Sequence, residues 1–134
     1  MDWKLQVVVL PVSDVDRAKA FYEEQCGFHV DVDRTFSPTF RVVQLTPPGS
    51  SCSITFGNGL GSGMAPGSIK GLQLVVSDIH AARAELAARG LDVTPVQMFV
   101  DGVRQDGHGG PYNAFVFFQD PDGNAWAVQE GPAA

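Results

Sequence analysis

Leu10-Pro11-Val12-Ser13-Asp14-Val15, followed by Ala18 and Ala20, returns 64 positions later as Val75-Val76-Ser77-Asp78-Ile79, followed by Ala82 and Ala84. A second block, Thr46-Pro47-Pro48-Gly49-Ser50, returns 74 positions later as Asp120-Pro121-Asp122-Gly123-Asn124. Two blocks repeating in the same order imply one duplicated supersecondary unit. The duplication also says which positions are equivalent, and so where a shared site should form.

Local patterning says what the unit is. Leu5 to Val12 is an almost continuous apolar run and predicts a buried strand. Ser13 or Asp14 then offers a helix N-cap, Val15, Ala18, Phe21 and Tyr22 fall at helical spacing, and Gly27 is the stop. Phe28 to Asp33, Phe40 to Leu45 and Cys52 to Phe56 read as shorter strands between turn signals. The first half is therefore β-α-β-β-β over residues 1–57, and a glycine-rich linker covers 58–68. In the second module, 69–134, strands are expected at Leu72 to Val76, Leu91 to Val100, Ala114 to Phe118 and Ala125 to Gln129, with a helix over Ile79 to Arg89 and a long loop over Asp101 to Tyr112. The expected architecture is α+β: two tandem βαβββ modules forming one domain, a curved eight-stranded sheet around a cavity with helices on the outer face. A concave sheet is where a small molecule binds.

Composition narrows the partners. A net charge of −6 argues against nucleic acid, whose recognition draws on clustered Lys and Arg, and mildly favours neutral or cationic ligands. No apolar run approaches the roughly 20 residues of a membrane span, and Met1-Asp2-Trp3-Lys4 does not begin a secretory signal, so a cytoplasmic location is expected. Two cysteines in 134 residues make no disulfide framework. Gly57 to Gly63 lacks the Lys-Ser/Thr ending and following helix of a phosphate loop.

The run Leu10 to Tyr22, with Gly27-Phe28 and the terminal Asp120-Pro121-Asp122-Gly123-Asn124, resembles the vicinal oxygen chelate superfamily. That group comprises glyoxalases, extradiol dioxygenases, fosfomycin-modifying enzymes and bleomycin-resistance binding proteins. The resemblance spans essentially the whole chain. It implies four metal-ligand places, one in the first strand and one in the last strand of each module. Counting from the motifs puts them at Val7, Gly71, Ser53 and Ala127, none of which is able to hold a divalent ion. The metal-free binding branch is therefore the expectation, with no cofactor and no catalytic residues. The chain is expected to work as a homodimer that sequesters a hydrophobic or aromatic antibiotic or other natural product. The alternative is a lyase, isomerase or dioxygenase-type enzyme with no metal or a non-standard site, such as one built from Asp101, Asp106 and His108.

Candidate ligand contacts follow from the same counting. Gln73 and Gln129 lie two residues beyond Gly71 and Ala127 on the same face, where they either orient a guest or satisfy backbone groups. Small residues at Ser53, Gly71, Ala125 and Ala127 leave empty volume, and Phe36, Phe40, Phe99, Tyr112, Phe115 and Phe117 are candidate walls for it, although only alternate members of the 114–118 strand can face inward. His108 lies among Asp101, Arg104, Asp106 and Tyr112, as part of a polar cluster or of a solvated loop. Trp126 is expected to face away from the cavity, His80 to be a surface residue, and the Cys26-x-x-His29 spacing to be incidental.

Overall fold

The computed structural model describes residues 1–132, so the last two positions of the second module lie outside the described residues. The chain is an α+β fold with two open sheets, and it divides into two compact units. The first comprises residues 1–69 together with Asp120–Asn124, and the second comprises most of the remainder.

In the first unit β1 (Val7–Val9) leads to α1 (Val15–Ala20), followed by β2 (His29–Ser37), β3 (Phe40–Thr46) and β4 (Ser53–Asn58), in the spatial order β1-β4-β3-β2. Asp14 is the N-cap of α1, its carboxylate accepting from the Arg17 amide at 3.0 Å. The helix ends as a π-helical turn over Phe21–Gln25. That turn is where Phe21 and Tyr22 enter the core: Tyr22 is fully buried, its ring 5.8 Å from Phe28 and 6.0 Å from Phe56. The structure carries β2 four residues past the expected end. Those residues pair with β3 across a tight turn at Pro38-Thr39, and β4 likewise runs into the expected linker at Asn58. A Cβ on Gly57 would lie 1.8 Å from the Arg41 carbonyl, so this strand can pass β3 only with glycine there.

The acidic copy of the repeated turn, Asp120–Asn124, belongs to this unit. Asp120 and Asn124 are buried, and Asp120 accepts four hydrogen bonds. Its donors are the amides of Asp122 (3.0 Å) and Asn124 (2.9 Å), the Tyr22 hydroxyl (2.8 Å) and the Asn124 side-chain amide (2.7 Å). Asn124 also donates to the Pro11 carbonyl and accepts from the Ile69 amide. Asp122 takes Ser13 and Arg17. The two motifs that recur in the sequence thus touch each other.

At the surface Arg41 grips Asp33 with two nitrogens, at 3.0 and 2.9 Å, while Lys19 reaches the same carboxylate at 2.8 Å. These hydrogen bonds, Arg41 first, hold the Asp33 carboxyl at about 2, below the usual carboxylate range. A folded-state value below the unfolded one means the stabilisation is complete above about pH 4 and is lost as pH falls toward 2. Because the site is at the surface, the loss should be no more than about 1 kcal/mol. Urea midpoints measured down the acid range should therefore fall less steeply for Asp33→Asn than for the native chain.

In the second unit β5 (Leu72–Val76), α2 (Ile79–Ala88), β6 (Gln97–Val100), β7 (Val103–Asp106), β8 (Phe115–Gln119) and β9 (Ala125–Glu130) form a five-stranded sheet in the order β5-β9-β8-β6-β7. Asp78 caps α2 as Asp14 caps α1. Ile79, Val116, Phe118, Trp126 and Val128 are buried where α2 packs on β8 and β9, Trp126 stacking on Phe118 at 5.8 Å. The expected strand over Leu91 to Val100 begins only at Gln97. The expected long loop is in part a hairpin: Asp101 and Gly102 adopt φ +50° and +77°, the pair of left-handed residues that closes a two-residue turn, and β7 follows.

Candidate functional site

Alternation along β8 and β9 gives the second sheet two unlike faces. Val116, Phe118, Trp126 and Val128 point into the core, which leaves Phe115, Phe117, Ala125, Ala127 and Gln129 half-buried on the opposite, helix-free face. Register fixes their neighbours: Phe115 lies opposite Gln129, and Phe117 opposite Ala127. On the far side of β9, Gln73 lies opposite Ala127 and Val75 opposite Gln129. Phe115 and Phe117 stack with centroids 5.8 Å apart, and Phe99 meets them edge-on at 5.4 and 6.4 Å. The Asn113 side chain holds Phe99 in place, its oxygen accepting from the Phe99 amide at 2.8 Å and its nitrogen donating to the Phe99 carbonyl at 2.9 Å. Arg104 lies over the Phe117 ring, 4.3 Å from the centroid, and a cavity of about 350 Å³ opens beside them.

A polar ledge borders this aromatic face. The Gln73 amide donates to the Gln129 side-chain oxygen at 3.0 Å, and the Gln129 amide donates to the Tyr112 carbonyl at 2.9 Å. Tyr112 itself has φ +59°, a conformation uncommon for a non-glycine residue, and its ring is exposed.

His108 does not gather with Asp101, Arg104 and Asp106. Asp106 is taken by the Gln97 amide, and His108 pairs with Glu130, Nε2 lying 2.8 Å from Oε1. The other ring nitrogen, Nδ1, accepts from the Gly110 amide at 3.1 Å, so in the neutral ring the proton sits on Nε2 and no lone pair is left over. The second oxygen of Glu130 accepts from the Ile79 amide at the start of α2. The Ile79 and His108 bonds, in that order, hold the Glu130 carboxyl below its ordinary value. His108 is therefore a strut between the 107–112 segment, β9 and α2, and the segment is fastened down. A second cavity, of about 410 Å³, lies beside His108, Tyr112 and Glu130. His80 is exposed, and its ring lies 6.1 Å from that of His108.

Seven of the nine sequence-derived candidates belong to the second unit, where Phe99, Phe115 and Phe117 form one cluster and Gln73, Gln129 and Tyr112 another. Phe40 and Ser53 belong to the first. There Phe40 stacks on Phe36 at 4.9 Å with Arg34 over the Phe36 ring, and the Ser53 hydroxyl lies 2.6 Å from that of Thr46, which also bonds Asp31. Sequence reasoning missed Asn113, Glu130 and the placement of Arg104 over Phe117. Of these only the Asp101-Gly102 turn, which swings Arg104 back across β6, left a readable signal.

The four counted metal places are no better supplied with donors in space than in sequence. Val7 and Ser53 are direct partners in the β1–β4 ladder. Gly71 precedes β5, and the residue opposite Ala127 is Gln73, so the second ladder is shifted by two residues from the motif count. Valine, serine, glycine, alanine and glutamine do not make a divalent-metal set. Among the described residues no three His, Cys, Asp or Glu side chains come together as one. These residues do not fit a metal ion.

Residues 4–128 match a family described as the Glyoxalase/Bleomycin resistance protein/Dioxygenase superfamily. None of the curated proteins matches the chain. Among solved structures it is similar to TnmS3, an antibiotic binding protein from Streptomyces sp. CB03234. The two are 30% identical over 98% of each chain, with a TM-score of 0.75. It is also similar to a glyoxalase/bleomycin resistance protein from the same Streptomyces strain, 30% identical over 94% of this chain and 99% of that one, with a TM-score of 0.72. A superfamily member from Sphaerobacter thermophilus DSM 20745 is 29% identical over 96% and 98% of the two chains, with a TM-score of 0.73.

Proposed function

The chain belongs to the glyoxalase/bleomycin resistance protein/dioxygenase superfamily, and from that membership we propose that it is a metal-independent protein that binds and sequesters a planar, hydrophobic small molecule of the antibiotic type. The carrying observation is the open face of the second sheet. Phe99, Phe115 and Phe117 are held half-exposed there beside Ala125 and Ala127, so apolar wall and free volume coincide where the superfamily's metalloenzymes would place a ligand. Burying aromatic surface against such rings is favourable by area, and ring pairs add about 0.5–1.5 kcal/mol. Gln73, whose carbonyl oxygen is not used by Gln129, and the Tyr112 ring supply orientation. Phe40 and Ser53 serve the equivalent face of the first unit, and His108 fixes the rim.

Similarity to an antibiotic binding protein at 30% identity supports this reading over catalysis. So does the pairing of His108, which has both ring nitrogens engaged. The modules 1–57 and 69–134 act together, in a homodimer in the cytoplasm. Among the described residues no helix is long and apolar enough to cross a membrane.

Isothermal titration against planar polycyclic antibiotics should find at least one ligand bound more tightly than high micromolar. Phe117→Ala should weaken that ligand about tenfold, the loss of one stacked aromatic contact and its buried area. A panel with no binder, or a binder indifferent to Phe117, would overturn the assignment.

A further inference from the structure

The second unit has four Lys and Arg side chains, and polar partners account for at least two of them. Arg83 donates to the Thr94 carbonyl at 2.8 Å, Arg89 lies 3.7 Å from Glu85, and Lys70 is engaged as well. Arg104 has no hydrogen bond or ion pair to its guanidinium among the described residues, and the guanidinium lies over the face of Phe117. A guanidinium resting on a ring keeps its five N–H donors, and their planar fork matches a carboxylate in two parallel bonds. The ring also removes water from one side of the cation, which strengthens whatever the fork binds.

The position of Arg104 is set by the fold. It stands opposite Phe99 in the β6–β7 ladder, across the turn at Asp101-Gly102, and lines the cavity of about 350 Å³ shared with Thr94, Phe117, Gln119 and Ala125. Asp92 lines the same cavity and is exposed, on the segment before β6. A cavity of this size admits a small polycyclic guest.

We propose that Arg104 is a specificity-determining residue, and that the guest of the open face is a planar aromatic bearing a carboxylate at its edge. The inference rests on the binding function above and narrows its ligand class. It runs against the net charge of −6, which by itself favours neutral or cationic ligands. Arg104 is exposed, but its guanidinium stands at the cavity wall, where it meets a bound carboxylate at contact distance; most of the chain's negative charge is screened beyond about 10 Å at ordinary salt, and Asp92 is the acidic group that shares this wall.

The probes are anthracene carboxylic acid and its methyl ester, which share one apolar body and differ in charge, titrated by fluorescence at neutral pH. The native protein should prefer the acid by about tenfold, as expected for one charge-assisted pair. Arg104→Gln should bring acid and ester within about twofold by weakening the acid alone, and Arg104→Lys should keep part of the preference because it keeps the charge without the fork. Asp92→Asn, which removes a carboxylate from the same cavity wall, should raise the acid's affinity and leave the ester's unchanged within about twofold. Equal affinities for acid and ester in the native protein would overturn the inference while leaving the binding function standing. A preference that survives Arg104→Gln would remove Arg104 from the role. Binding of neither probe by a protein that binds other planar aromatics would also overturn the inference, and a protein that binds no planar aromatic at all would sink both.

Discussion

Replacing Asp120 with alanine should cost about 3–5 kcal/mol of unfolding free energy, the range for leaving buried hydrogen-bond donors around a deleted charge. Four donors point at this one carboxylate: two backbone amides of its own turn, the Tyr22 hydroxyl and the Asn124 side chain. Tyr22 and Asn124 are fully buried, so water cannot replace the lost acceptor without opening the core. For a chain whose total stability is about 5–15 kcal/mol, such a loss should lower the thermal midpoint by roughly 10–20 °C. Tyr22→Phe is the informative comparison. It removes one donor and leaves Asp120 with three, so its cost should be only about 1 kcal/mol. Guanidinium unfolding of both variants separates the cases. If Asp120→Ala costs no more than Tyr22→Phe, the turn is not the keystone described here.

That network accounts for the Asp120-to-Asn124 copy of the repeated turn, and it also shows where sequence reading ended. The repeated blocks and local periodicity were enough for the α+β architecture, for a cap at Ser13 or Asp14 that the structure assigns to Asp14, and for the alternation of the last strand around Trp126. All of these depend on local period and local hydrogen bonding, which a chain displays in order. The contact between Asp120-to-Asn124 and Pro11, Ser13 and Tyr22 joins residues about a hundred positions apart, and no local rule announces it.

Two misreadings have a more specific origin. The stretch after Val100 looked like a loop because glycines and polar residues dominate it, yet Asp101-Gly102 is the two-residue hairpin signal, and the strand it launches is short and exposed. The count that set Gly71 against Ala127 assumed that the ladder follows the motif offset. The second unit pairs β5 with β9 two residues further along. A two-residue shift keeps every side chain on its face, so the binary pattern stays silent about it. For His108, the sequence showed its polar company in the loop but not Glu130, which comes from β9.

The register has a direct consequence for binding. Ala127 is flanked by Phe117 on one strand and Gln73 on the other, at the centre of the open face, and its methyl group leaves the volume that a guest would fill. Ala127→Trp places a large ring in that volume. Because the site faces away from the core formed by Val116, Phe118, Trp126 and Val128, the new side chain has somewhere to go without displacing packed atoms. Stability should therefore change by less than about 1 kcal/mol, the range for substitutions outside the core. Affinity for a planar aromatic should fall by about a hundredfold or more, the equivalent of losing most of the stacked surface. Leu74, on the opposite face of β5, provides the contrast, since Leu74→Ala should lower stability through lost packing while sparing affinity. Titration and thermal unfolding of the two variants side by side decide the matter. If Ala127→Trp binds like the native protein, the guest does not occupy the face of β8 and β9, and the aromatic cluster there must be read as packing alone.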